Sequence, residues 1–204
     1  NTFVLFISDN GRPFPRDKTT LYDSGIKTPF IVHWPGRVGA GSRCNSLLSS
    51  VDIAPAFLEL AGLSTPKVFE GRSFLPLLHN PQKGIRKFVF AERNWHDYED
   101  RVRAVRNRRF KYIRNFYNDL PNTPPADVVR SAAYREMIRL RDEGRLVDAQ
   151  KNTFLQPRAK EELYDVQVDP FELKNLTADP SQAKRLKRFR RTLAKWQIET
   201  DDTE

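Results

Sequence analysis

The 204-residue chain carries 35 Lys and Arg against 26 Asp and Glu, a formal net charge of +9, with 39% hydrophobic residues, 14 Phe and a single Cys. This composition excludes a disordered segment, an internal disulfide and a cysteine-built zinc cluster, and no run is apolar for long enough to span a membrane. The surplus of basic residues, densest at 101–114 and 184–195, invites a polyanionic partner, nucleic acid or sulfated glycan, which charge alone does not separate.

Residues 3–7 are apolar on both faces, which predicts a strand buried inside a parallel sheet. The strand runs into Asp9, Asn10 and Gly11. Ligands and metals bind beyond the carboxyl ends of such strands, and two adjacent hard oxygen donors there suit Ca²⁺ or Mg²⁺; Asp-Asn-Gly is also simply a good turn sequence. No start methionine or polar lead-in precedes the strand, so the chain reads as the back part of a larger protein.

A loop over 11–24, rich in Pro and charge, precedes a second apolar strand at 30–33 that stops at Trp34-Pro35-Gly36. The spacing of Ile53, Phe57 and Leu60 predicts a helix over 52–61, capped by Asp52, with Pro55 in its first turn and Gly62 at its end. A short helical turn is predicted at 73–78. Beyond residue 86 the pattern shifts to short strands at 88–92, 103–107 and 109–115, the last two joined by a tight hairpin at Arg108. Helical periodicity predicts one helix over 127–143 with Gly144 as its stop, and another over 181–200 with Leu186, Phe189, Leu193 and Trp196 on one face. Residues 162–165 are a further strand. The fold class is therefore α/β: residues 1–86 close a large mixed or parallel-sheet domain, and residues 87–204 form a smaller α+β subdomain with an antiparallel sheet and a C-terminal helix.

Three blocks resemble the sulfatase family of the alkaline phosphatase superfamily. They are Ser8-Asp9-Asn10-Gly11 with Lys18 following; the run from Leu21 through Gly25-Ile26-Lys27-Thr28-Pro29 to Trp34-Pro35-Gly36; and Glu162-Leu163-Tyr164-Asp165 with Asp169-Pro170, Glu172 and Asn175-Leu176. The helix at 51–63 is similar to one of the family as well. Asp9-Asn10-Gly11-Arg12-Pro13-Phe14-Pro15 and the ending Leu193 to Thr200 resemble, more finely, the heparan N-sulfatase (sulfamidase) subgroup.

The resemblance implies a sulfuric ester hydrolase or sulfamidase acting on heparan or other glycosaminoglycan sugars. It implies a formylglycine nucleophile made from a Cys-x-Pro-Ser-Arg motif and a bound Ca²⁺, with Mg²⁺ as the alternative ion. Cys44 stands in Cys44-Asn45-Ser46-Leu47-Leu48, which is not that motif. The nucleophile, the family's first Asp pair and its mid-chain Lys and His are thus expected on a missing N-terminal part, and the chain alone is expected to be inactive. Asp9 and Asn10 match the family's second pair of metal ligands, and Lys18 matches the Lys or Arg that contacts sulfate. Arg16 and Arg12 are neighbouring cations that compete for that role or contact substrate. Trp95 and His96 fall where related sulfatases reach over the pocket and select the sugar, against the plainer reading of a core Trp and a surface His. His33 reads as structural, and His79 shows no partner. The resemblance also implies a periplasmic, secreted or lysosomal protein.

The strands at 103–106 and 109–112 alternate basic and apolar residues, the pattern of a half-buried strand with a solvated basic face. Nothing resembles a nucleic-acid motif. Two further readings stand beside the sulfatase: a phosphodiesterase or phosphonate hydrolase of the same superfamily, and a non-catalytic module binding sulfated polyanions.

Overall fold

The computed structural model describes residues 2–202. Its elements run β1 (Val4–Ile7), α1 (Asp23–Ile26), β2 (Phe30–His33), α2 (Ile53–Leu60), α3 (Leu75–His79), β3 (Val89–Trp95), β4 (Glu99–Arg106), β5 (Phe110–Asn115), α4 (Ala126–Val129), α5 (Ala132–Asp142), α6 (Asp148–Lys151), β6 (Glu161–Asp165) and α7 (Ala183–Glu199). The expected α/β class, with a small antiparallel sheet and a closing helix, is the architecture observed. By contacts the chain divides into two compact units. One comprises the residues up to 6, 30–90 and 106–108; the other comprises 7–29, 91–105 and the residues from 109 onward. The segment 7–29 therefore groups with the C-terminal sheet rather than with the residues that surround it in sequence.

In the first unit β1 and β2 form a two-stranded sheet. Phe3, Phe30 and Val32 pack on one side against buried Ala56, Phe74 and Leu77 of the helices, with Phe3 meeting Trp34 and Phe57 edge-on at 5.4 and 5.6 Å. The burial predicted for both faces of residues 3–7 is not what the structure shows, because Val4 is 46% and Phe6 59% exposed. A strand is buried twice over only when layers cover both faces, and here the described layer covers one. The predicted α2 stripe also shifts. Pro55 and Ala56 face the core while Phe57 is exposed. Fully buried Asp52 does not cap the helix; its carboxylate accepts from Ser49 N at 2.9 Å, Arg72 N at 2.8 Å and the Arg86 guanidinium.

In the second unit the sheet order is β3-β4-β5-β6, and β5 pairs antiparallel with β6, Tyr112 opposite Leu163. Val102, Ala104, Ile113, Tyr164 and Val166 form its core with Leu21 and Tyr22 from the 7–29 segment. The amphipathic stripe of α7 buries Leu186, Phe189 and Leu193 as expected, and Trp196 is half-buried at its end. Three boundaries differ from the sequence reading. β3 continues through polar Arg93 and Asn94 to Trp95, and β4 begins at Glu99. The helix predicted over 127–143 breaks into α4 and α5 at Arg130–Ser131, where the Ser131 hydroxyl accepts from Tyr134 N at 3.1 Å and caps the second piece. Gly144, at φ 69°, ends α5 as predicted.

Candidate functional site

The candidate site is built around the turn that follows β1. Asp9 is exposed and Asn10 half-buried. The Asp9 carboxylate accepts from Asn10 N at 2.9 Å, and the Asn10 carboxamide donates through Nδ2 to Gly11 O at 2.7 Å. Gly11 makes this turn possible. Its N–H donates to Gly25 O at 2.8 Å, and a Cβ there would lie 1.9 Å from Ser24 O. Gly25 is equally constrained, since its Cβ would lie 2.3 Å from Asp17 O. Two glycines thus let the backbone after β1 lie directly on the start of α1.

The loop between these contacts is folded on itself. Lys18 N donates to Arg12 O at 3.1 Å, and Thr20 Oγ1 lies 2.9 Å from Arg16 O and 2.8 Å from Asp17 O. Arg16 and Thr19, on either side of Lys18, both sit at φ 68°, a left-handed conformation that costs non-glycine residues energy and gathers at functional sites.

Lys18 and His96 come together through α4. Lys18 Nζ lies 2.8 Å from Asp127 Oδ2. One residue earlier, Ala126 N donates to Asp97 Oδ2 at 2.5 Å, and His96 Nδ1 lies 3.2 Å from the same oxygen. Fully buried Val128 anchors this one-turn helix. The Lys18 ammonium holds the Asp127 carboxyl below the usual carboxylate range, and the Ala126 N–H, with His96 adding to it, does the same for Asp97. Trp95, at the end of β3, is 67% exposed within this chain.

The other predicted cations are placed differently. Arg12 is exposed and lies 3.5 Å from Asp17. Arg16 stacks 3.8 Å over the Tyr22 ring and donates to Phe171 O at 2.7 Å and to Glu172 O, so backbone carbonyls hold its guanidinium in place. Among the described residues no group of three or more His, Cys, Asp and Glu gathers as a metal site. Asp9 and Asn10 fit one part of the oxygen shell of a hard cation, an anionic donor beside a neutral one.

Behind the loop lies a polar interior that sequence reading missed. Fully buried Lys111 places Nζ 2.5 Å from Asp23 Oδ1, 2.9 Å from Glu172 Oε1 and 3.0 Å from Leu21 O. Burial pushes the Glu172 carboxyl up, with Lys111 opposing. The Glu162 carboxylate accepts from the Tyr22 hydroxyl at 2.7 Å, the Tyr164 hydroxyl at 2.5 Å and Asn115 Nδ2 at 2.7 Å. Burial, then the Glu162 charge, raises both phenols above their usual range. Arg103 is buried as well and grips Asp202 with two bonds of 2.5 and 2.6 Å. The solvated basic face predicted for β4 and β5 is therefore corrected: Lys111 and Arg103 point inward because carboxylates distant in sequence meet them there. The only advance signal was the Tyr164…Glu172 block, which names the residues without showing their partners.

With this geometry in place, known proteins give the chain a family. The family described as "N-sulphoglucosamine sulphohydrolase, C-terminal" matches residues 14–133, and the chain belongs to it. An ulvan-active sulfatase of Formosa agariphila is 37% identical over 198 residues, covering 96% of this chain and 33% of that protein. Human N-sulphoglucosamine sulphohydrolase is 31% identical over 215 residues, covering 99% of this chain and 42% of that protein. A structure solved in complex with its substrate D-glucosamine-2-N,6-O-disulfate superposes with a TM-score of 0.72 at 25% identity, covering 99% of this chain and 35% of that one. The chain thus spans less than half the length of these relatives.

Proposed function

We propose that the chain is the C-terminal part of a sulfatase that hydrolyses sulfate esters or sulfamates of glycosaminoglycan sugars, in a periplasmic, secreted or lysosomal setting. The observation that carries this reading is the linking of Lys18, in the loop that begins at Asp9 and Asn10, to His96 through Asp127 and Ala126 of α4 and through Asp97. A sulfate-contacting cation and a sugar-contacting edge need that proximity. Asp9 and Asn10 would hold a divalent cation, Ca²⁺ first and Mg²⁺ as the alternative. When bound, such an ion polarises a sulfate oxygen and offsets the negative charge that develops on it. The formylglycine nucleophile belongs to sequence outside this chain.

The chain's own residues supply the rest. Lys18 pairs its ammonium with a sulfate oxygen, and Asp127 orients that ammonium before substrate arrives. Trp95 offers an apolar face to the sugar ring, and His96, turned by Asp97, donates or accepts at a sugar hydroxyl or carboxylate. Arg12, exposed beside this loop, is a further substrate contact. The polyanion-module alternative has less support, because members of both basic clusters are already engaged: Arg103 with Asp202, Arg109 with Asp165, and Arg190 with Glu161.

The test uses the full-length protein. Asp9→Ala and Asn10→Ala should lower bound calcium and activity together; unchanged metal content removes the ligand assignment. Lys18→Ala should reduce kcat/KM for a sulfated sugar by about a hundred- to a thousand-fold, the scale of losing one preorganised contact to a developing anion, with the unfolding transition unchanged. Wild-type kinetics would end the sulfate-contact assignment.

A further inference from the structure

Lys18 stands in a loop whose two flanks are gripped by one short turn, 169–175. On the near flank the Arg16 guanidinium donates to Phe171 O at 2.7 Å and to Glu172 O. On the far flank Asp23 N donates to Glu172 Oε2 at 2.5 Å. The flanks are also tied to each other, because Arg16 O accepts from Thr20 Oγ1 at 2.9 Å and from Ser24 Oγ at 3.0 Å. Glu172 therefore meets the loop on one side of Lys18 with its main chain and on the other with its carboxylate.

The turn itself has a firm base. Asn175 Oδ1 accepts from Leu163 N at 3.0 Å, and Leu176 N donates to Leu163 O at 2.8 Å, which fastens the turn to β6. The Asp169 carboxylate accepts from Leu173 N at 3.1 Å and Lys174 N at 2.8 Å and closes the turn from within. Lys111 of β5 lies 2.9 Å from Glu172 Oε1 and 2.5 Å from Asp23 Oδ1, so the sheet holds both carboxylates from behind.

Glutamate is a costly residue at this place. Its φ is 55°, in the left-handed region that glycine enters freely and other residues do not. Its side chain is 1% exposed, and a carboxylate taken from water loses energy unless it is paired and hydrogen-bonded. A glycine would satisfy the turn, yet only a long carboxylate reaches the Lys111 ammonium and the Asp23 amide together. What the side chain adds to the turn is its grip on the loop that carries Lys18.

We propose that Glu172 is a positioning residue for Lys18, holding the 16–24 loop on the sheet so that the ammonium stands in place before substrate arrives. The role rests on Lys18 contacting sulfate, as proposed above. Such contacts are sensitive to placement, and a shift of about 1 Å can cost about a hundredfold in rate. The test is a pair of double-mutant cycles on the full-length protein. They are scored by kcat/KM on whichever of glucosamine N-sulfate and glucosamine 6-sulfate the wild type turns over faster. Glu172→Ala and Arg16→Ala should each lower kcat/KM about ten- to a hundredfold in the wild type. In the Lys18→Ala background each should lower it further by no more than about threefold, since both act through the residue already removed. Arg16→Ala leaves the buried Lys111 pairs untouched and keeps the test open where Glu172→Ala does not fold. Hydrogen exchange, read without turnover, should rise in peptides covering 16–24 and stay at the wild-type rate in β5. Normal kinetics of Lys18→Ala would refute the reading on which the role rests. An impaired Lys18→Ala that loses the same further factor with either variant, or unchanged exchange over 16–24 in both, overturns the positioning role alone.

Discussion

Lys111→Met is the perturbation that most directly tests how the candidate site is supported. The side chain is fully buried, and its ammonium serves Asp23, Glu172 and the Leu21 carbonyl at once. Met fills similar volume, so the loss is chiefly electrostatic. Removing one partner of a buried ion pair costs about 3–5 kcal/mol, or about two to three and a half powers of ten in the unfolding equilibrium. The pH dependence follows from Glu172. Burial already raises its carboxyl above the unfolded value, and losing Lys111 raises it further. Between the unfolded and folded values the native state holds the extra proton, so stability falls as pH rises through that window. The deficit of Lys111→Met should therefore be smaller at pH 5 than at pH 8, measured by urea unfolding of the same protein at both. A deficit below about 1 kcal/mol, or one of equal size at both pH values, would refute the argument, since surface ion pairs contribute only that much.

Gly11→Ala should cost about 1–3 kcal/mol or more, because the new methyl meets the Ser24 carbonyl oxygen at 1.9 Å; bound calcium should fall with it, and a protein of normal stability and metal content would show that the turn can relax. Trp95→Ala and His96→Ala should lower kcat/KM about tenfold for a sulfated disaccharide, the roughly 1.4 kcal/mol scale of one aromatic contact, and leave a small aryl sulfate nearly unaffected. Equal losses on both substrates would remove these residues from sugar selection.

Local pattern made several elements legible in the sequence. β2 follows from a short apolar run, β5 from alternating basic and apolar residues, β6 falls at the further strand expected at 162–165, and α7 follows from Leu186, Phe189 and Leu193 at helical spacing. Gly144 stops α5 because a left-handed residue was needed there. The sulfatase-like blocks pointed to the family by their order and spacing. Where the pattern was broken by tertiary contacts it misled. β3 carries polar residues to Trp95 because strand pairing, rather than alternation, holds them extended. The predicted long helix divides because Ser131 offers its hydroxyl to the backbone as a cap.

The sequence by itself determined the turn after β1, because Asp9-Asn10-Gly11 is turn chemistry, and Gly11 is the residue without a side chain to clash. Only the tertiary structure decided which charges work at the surface and which work inside. Lys18 and Lys111 look alike in a basic chain, yet one pairs with Asp127 at the candidate site's edge while the other is sealed against Asp23 and Glu172. The reason is physical: a lysine's role is set by the carboxylates that folding brings within about 3 Å and by the water it excludes around them, and neither is a property of neighbours along the chain.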